Sequence, residues 1–303
     1  MSYFPNANAV AVYIRLRIRD RPDSDTFLIV EGKTDRAALS GLVAPSVTLV
    51  PASNKEKNLG SRAILNASEL ERCTFLVDCD GELESELHSA AEVVVSDWRD
   101  LDADMALHLE ALPAVIRDHL SEKFQNGEEL SARAAKLSKF IVELTTLSGT
   151  FTDAARSLKL PVRYLERRVR ISDTPGFADW AAVLRFPKSQ DEVLAQLSEV
   201  VGWSRSDQDS ILGETARKSE KLCRRHGWSN CGRCLPRTYV NGHDLIGVLQ
   251  RTLDVEVGRS STERELTRQI RLSVDRERLD HWGILKKMAA RELDTQRKYL
   301  AIR

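Results

Sequence analysis

The sequence predicts an α/β fold in which a small parallel sheet flanked by helices is joined to a large, mostly helical insert or extension. Three observations predict it. Between Thr26 and Val95 the chain carries short runs rich in β-branched and aliphatic residues that are apolar throughout. Helical stretches separate those runs. Beyond Asp100 the apolar spacing becomes helical and stays so. Strands without polar alternation are buried on both faces, as in a parallel sheet covered by its crossover helices.

The elements follow in order. Thr26–Val30 (TFLIV) reads as a buried strand, and Thr34–Leu42 as the helix after it. Val47–Val50 is a second strand, followed by helical spacing from Lys57 to Leu70. Thr74–Val77 is a third strand and Ala91–Val95 a fourth. Then come the helical periods Leu101–Leu112, Ala114–Phe124 and Leu130–Leu147, with shorter helices to Leu197 punctuated by Pro161, Pro175 and Pro187. A loop rich in Cys, Gly and Arg is expected at 223–237. A charged helical region at 262–300 follows, with Leu266, Ile270 and Leu272 as its apolar contacts. The expected organisation is an α/β core over 1–110, a helical insert or second domain over 111–212, and a basic C-terminal region over 213–303.

With 303 residues the chain is long enough for about two domains and a sizeable core. No stretch reaches the roughly 18–20 apolar residues of a membrane span, and the N-terminus lacks a signal-peptide core. Five cysteines, an odd number, do not suggest a disulfide framework. A cytoplasmic protein with reduced thiols is the expectation. The net charge is zero but unevenly spread: residues 1–212 hold 25 Lys/Arg against 33 Asp/Glu, and residues 213–303 hold 20 against 12. An acidic front with a basic rear suits a metal site at one end and a polyanion grip at the other.

Two strand ends carry acids. Strand one runs into Glu31-Gly32-Lys33-Thr34-Asp35, and strand three into Asp78-Cys79-Asp80-Gly81. Ligands of open parallel sheets gather beyond the carboxyl ends of the strands. Gly32 permits a tight strand-to-helix turn, and one-residue spacing aims Asp78 and Asp80 the same way on extended chain. Three converging carboxylates repel one another unless a divalent cation neutralises them, and hard oxygen ligands suit Mg²⁺ or Mn²⁺. The alternative is structural: Glu31 caps the next helix, and Asp78 and Asp80 shape a turn.

The pattern Phe-Leu-Ile-Val-Glu31-Gly32-x-x-Asp35, with Val-Asp78-x-Asp80 in a later strand, resembles a Toprim domain, the module of topoisomerases, bacterial primases, OLD-family nucleases and a 5S ribosomal RNA maturase. The resemblance covers residues 26–110. It implies that Glu31, Asp78 and Asp80 bind Mg²⁺ for phosphodiester chemistry, with Glu31 as a metal-linked acid/base. The run Ser96-Asp97-Trp98-Arg99-Asp100-Leu101-Asp102, the long helical insert and Asn241-Gly242-His243-Asp244-Leu245 are similar to a stand-alone Toprim-like family of bacterial anti-phage islands, which includes the nuclease subunit of the PARIS defence system. That likeness implies a Mg²⁺-dependent nuclease with transfer RNA as target, restrained until an ABC-type ATPase sensor releases it. A homodimer is a further possibility for the helical surfaces.

Other residues are candidates beside these. Asp102 is an added metal ligand, with Asp100 and Asp104 near it; the same acids suit a helix N-terminus. His243 is a candidate proton donor and Asp244 its neighbouring acid, although His-Asp after Gly is also an ordinary turn. Lys33 and Lys55 are candidate phosphate contacts. Cys223-x2-His226-x4-Cys231-x2-Cys234 has the donors and spacing of a Cys3His zinc knuckle, or is a set of incidental thiols. Arg224, Arg225, Arg233 and Arg237 around it would attract phosphates. Cys73 and Cys79 flank strand three as buried bystanders. Residues 152–169 have the order of a helix-turn-helix whose second helix would expose Arg163, Arg167 and Arg170, or of an ordinary helical hairpin. Function is therefore expected to be a Toprim endonuclease; the rivals are an RNA maturase or DNA nuclease of the same fold, and a non-catalytic adaptor that binds an ATPase.

Overall fold

A computed structural model describes residues 4–20, 26–79, 90–96, 98–108, 111–164, 167–168, 170–183, 189–226, 240–258, 261–273 and 282–295. The chain divides into two compact units: residues 1–101 with 276–303, and residues 102–275 inserted between them. No described helix is long and apolar enough to cross a membrane.

The first unit is α/β. Helix α1 (Ala7–Asp20) precedes β1 (Thr26–Val30), α2 (Lys33–Leu39), β2 (Val47–Pro51), α3 (Lys55–Ile64), α4 (Ala67–Leu70), β3 (Cys73–Val77) and β4 (Val93–Val95). The four strands form one parallel sheet in the order β2-β1-β3-β4. β1 and β3 are buried along their whole length, as continuous apolar runs predict. Alternate residues face opposite ways. Phe27, Ile29, Phe75, Val77, Val93 and Val95 share one core with Val10, Ala11 and Ile14 of α1. The last described helix, α13 (Gly283–Thr295), belongs to this unit: Arg291 donates to Leu70 O at 2.9 Å and Lys287 to Val95 O at 3.1 Å.

The differences from expectation have local causes. Lys57–Leu70 is two helices, because Leu65 leaves the helical region at ψ 143 and Asn66 starts α4 with its own cap. Strand four is only Val93–Val95, the three β-branched residues. Helix α1 was not expected; Asn6 caps it, accepting the Ala9 N–H at 2.9 Å.

The second unit is mainly helical: α5 (Leu101–His108), α6 (Ala111–Leu120), α7 (Gly127–Ser157), α8 (Phe177–Val183), α9 (Gln190–Val201), α10 (Arg205–His226), α11 (Gly242–Val257) and α12 (Glu263–Leu272). Side chains of Asn126, Ser189, Asn241 and Thr262 cap α7, α9, α11 and α12. Leu266 and Ile270 are buried as expected, but Leu272, expected to make apolar contact, is 74% exposed.

Neither the helix-turn-helix nor the ordinary helical hairpin offered by residues 152–169 forms. Helix α7 ends at Ser157, Lys159 takes a left-handed φ of 59°, and Pro161 follows. Residues Arg163–Tyr164 (β5) and Arg167–Arg168 (β6) then pair antiparallel. The left-handed residue satisfies the last α7 carbonyls, with Leu160 N–H on Ala155 O at 2.9 Å, and turns the chain out of the helix. Arg170, expected on an exposed basic face, instead binds Glu263 and lies 3.9 Å from Asp244.

Glu256 is 8% exposed and takes Arg133 at 2.5 Å and Lys123 at 3.3 Å. Burial pushes its carboxyl up, but hydrogen bonds from Arg133 and Lys123 more than offset this and leave it below the usual range. The stabilisation is therefore present above the unfolded carboxyl value of about 4.3 and lost as pH falls below it. Glu256→Gln is expected to cost about 1–3 kcal/mol at pH 7. In denaturant unfolding that gap narrows as pH falls below about 4.3; a gap that keeps its size through that fall contradicts this account.

Candidate functional site

The strand order places the site. The chain passes from β1 outward to β2, then returns across β1 to β3 and on to β4. The reversal lies between β1 and β3, where open parallel sheets leave a crevice beyond the strand ends. Glu31 directly follows β1 and Asp78 directly follows β3, and both are half-buried. Glu31 Oε1 accepts the Asp78 backbone N–H at 2.9 Å. Asp78 Oδ1 accepts the Leu101 N–H at 3.3 Å. One oxygen of each acid thus holds a backbone amide, which fixes the orientation of both carboxylates.

Local chemistry explains the turns. After β1, Gly32 N–H donates to Asp35 Oδ2 at 2.7 Å, so Asp35 caps its own helix. A Cβ at Gly32 would lie 3.2 Å from Thr34 Oγ1, closer than ordinary contact, so glycine suits the close approach. After β2, Ala52 N–H bonds Val30 O at 2.8 Å, and Ser53 then adopts φ 90°, a left-handed conformation that side chains disfavour. Asn54 caps α3 by accepting Lys57 N–H at 2.9 Å. Lys55, the first residue of α3, donates to the Asp78 carbonyl at 2.9 Å. Beyond β3, Cys79 N–H bonds Ser96 Oγ at 2.8 Å, and Ser96 Oγ donates to Trp98 O at 2.8 Å. The loop after β4 is thereby stitched to the end of β3.

The structure therefore brings Glu31, Asp78 and Lys55 together beyond the ends of β1 and β3. Lys33 is exposed on the first turn of α2. Asp80 lies outside the described residues. Cys73 is buried, and burial, with the Glu69 carboxylate, pushes its thiol up to about 12; it is no thiolate at neutral pH. Cys79 is buried as well.

The remaining candidates belong to the second unit. The Asp102 carboxylate is engaged by Arg271 at 2.7 Å, and Asp104 is fully buried. His243 is exposed on the first turn of α11, its N–H on Asn241 Oδ1 at 3.1 Å, and Asp244 is 3% exposed. Cys223, Arg224, Arg225 and His226 lie in the last turn of α10, so the start of the expected loop is helix. Cys231, Arg233, Cys234 and Arg237, and with them the rest of the zinc arrangement, lie outside the described residues.

No family model, curated protein or solved structure matches the chain.

What the crevice can do follows from its donors. Among the described residues no group of three or more His, Cys, Asp or Glu side chains is arranged to hold a metal. Glu31 and Asp78 nonetheless fit a hard divalent cation: both offer carboxylate oxygen, both are oriented by amides, and they stand at neighbouring strand ends. Residues that the sequence pattern did not single out also shape the place, namely Ser53 and Asn58. For Asn58 the available signal was an amide on the face of α3 that meets the sheet.

Proposed function

We propose that the first unit is a Toprim-like, Mg²⁺-dependent (or Mn²⁺-dependent) endonuclease centre, acting on nucleic acid with transfer RNA favoured. The observation that carries it is the Glu31–Asp78 pair, joined at 2.9 Å across the ends of adjacent parallel strands at the point where the strand order reverses. The motif resemblance supports the same residues. Asp80, two positions on from Asp78, is the third acid of that motif.

Glu31 and Asp78, with Asp80, would hold the cation, which when bound supplies charge neutralisation at a phosphoryl group and an acidified water. The chain's own residues do the rest. Glu31, tied to the Asp78 amide, holds a carboxylate at a fixed place from which a proton can be taken or returned. Lys55, seated on the Asp78 carbonyl, sets a cation beside the acids where a substrate phosphate would approach. The Arg-rich segment around 217–237 would grip the backbone of the polyanion. By the resemblance, an ABC-type ATPase sensor restrains cleavage until phage infection, and the setting is cytoplasmic.

The test is sequencing of RNA ends from cells expressing the chain, with and without its neighbouring ATPase. Cuts at defined positions in a transfer RNA, present once the ATPase restraint is absent, are the expected result. Intact RNA and intact DNA in every arm would overturn the nuclease reading in favour of an adaptor.

A further inference from the structure

The geometry assigns Asn58 the role of a positioning residue that sets the separation of the strand ends bearing Glu31 and Asp78. The inference rests on the metal-centre reading above and deepens it. Asn58 lies on α3 and is 0% exposed. Its Nδ2 donates to Leu76 O at 2.8 Å and, more weakly, to Ile29 O at 3.4 Å. Leu76 stands two residues before Asp78, and Ile29 two residues before Glu31. One amide therefore binds both strands at the same distance from their acids.

The ladder ends where the amide begins. The last paired residues of β1 and β3 are Ile29 and Phe75. Phe27 N–H donates to Arg72 O at 2.8 Å, so the even-numbered carbonyls of β3 point towards β1. Leu76 O is the carbonyl of that set lying opposite the strand end that carries Glu31. Asn58 supplies a donor to Leu76 O, one residue beyond the last pair, and to Ile29 O within it. Lys55, one turn earlier on the same helix, holds Asp78 O. Helix α3 thus grips β3 at two carbonyls, Leu76 and Asp78, and β1 at one.

The amide is held at a cost. Asn58 Oδ1 is buried with no hydrogen-bond partner among the described residues. An unpaired buried acceptor is unfavourable, and an apolar side chain of similar shape would avoid it. Only a donor can bridge the two carbonyls, and the bridge accounts for a polar residue there. Because one oxygen of Glu31 must meet the Asp78 amide, a shift of either strand end reorients both acids.

Residues that orient metal ligands typically change metal affinity by about 10–100-fold when removed. The test is Mn²⁺ titration by electron paramagnetic resonance, with thermal unfolding measured on the same samples of the full chain. Asn58→Leu and the smaller Asn58→Ser are compared with Val10→Ala, which destabilises the same core without touching the bridge. Both Asn58 variants are expected to bind Mn²⁺ about 10-fold or more weakly than wild type, while Val10→Ala binds normally at a similar loss of thermal stability. If Asn58→Leu does not fold, Asn58→Ser gives the result alone. Unchanged affinity in the folded Asn58 variants, or equal weakening in Val10→Ala, overturns the positioning role and leaves the metal centre standing. A wild type that binds no Mn²⁺ overturns the metal centre and this role with it.

Discussion

Glu31→Gln is expected to lower divalent-dependent cleavage by at least about 100-fold while leaving the fold intact. The substitution keeps the shape of the side chain and its ability to accept the Asp78 N–H, now through an amide oxygen. It removes the charge that a hard cation needs and the basicity that proton transfer needs. Because Glu31 is half-buried at a strand end and not in the core, the unfolding temperature should move little. Circular dichroism and a cleavage assay on the same preparation check both halves. Full activity in a folded Glu31→Gln would remove Glu31 from the chemistry, and loss of activity with loss of fold would leave only a structural role.

Phe75→Ala is expected to cost about 3–5 kcal/mol of stability, the range for truncating a fully buried aromatic side chain. Phe75 is 0% exposed and lies in β3, between β1 and β4, at the last position paired with β1. The ring is part of the core shared with α1. Thermal unfolding of the first unit should fall by roughly 10 °C. Asp78 lies three residues beyond, so Mn²⁺ binding should weaken as well. A loss below about 1 kcal/mol would contradict the packing described for this strand.

The strands were legible because burial on both faces writes itself as an unbroken apolar run. β1, β2 and β3 match the expected spans to within one residue. The placing of Glu31 and Asp78 at strand ends follows from those runs, and the reversal of strand order between them is the part that sequence spacing does not contain. Pairings across long separations were not legible. Asp102 meets Arg271, and Arg170 meets Glu263, through contacts that no local pattern announces. The helix-turn-helix and helical-hairpin readings of residues 152–169 failed for one local reason. Lys159, in the position where glycine is usual, accepts the left-handed conformation and ends the helix, and the chain beyond Pro161 pairs as strands. Asn58 was not legible because an amide closing the charged stretch Asn54–Asn58 looks solvated until the sheet is laid against it.

The measurement that tests the central claim most directly is cleavage by the purified chain, free of any partner. Wild type and Glu31→Gln are incubated with transfer RNA in Mg²⁺ and in chelator, and the RNA ends are sequenced. Defined cuts in Mg²⁺, absent in chelator and absent with Glu31→Gln, are predicted. Cuts that persist in chelator, or that Glu31→Gln makes as fast as wild type, would contradict a metal-dependent centre at Glu31 and Asp78.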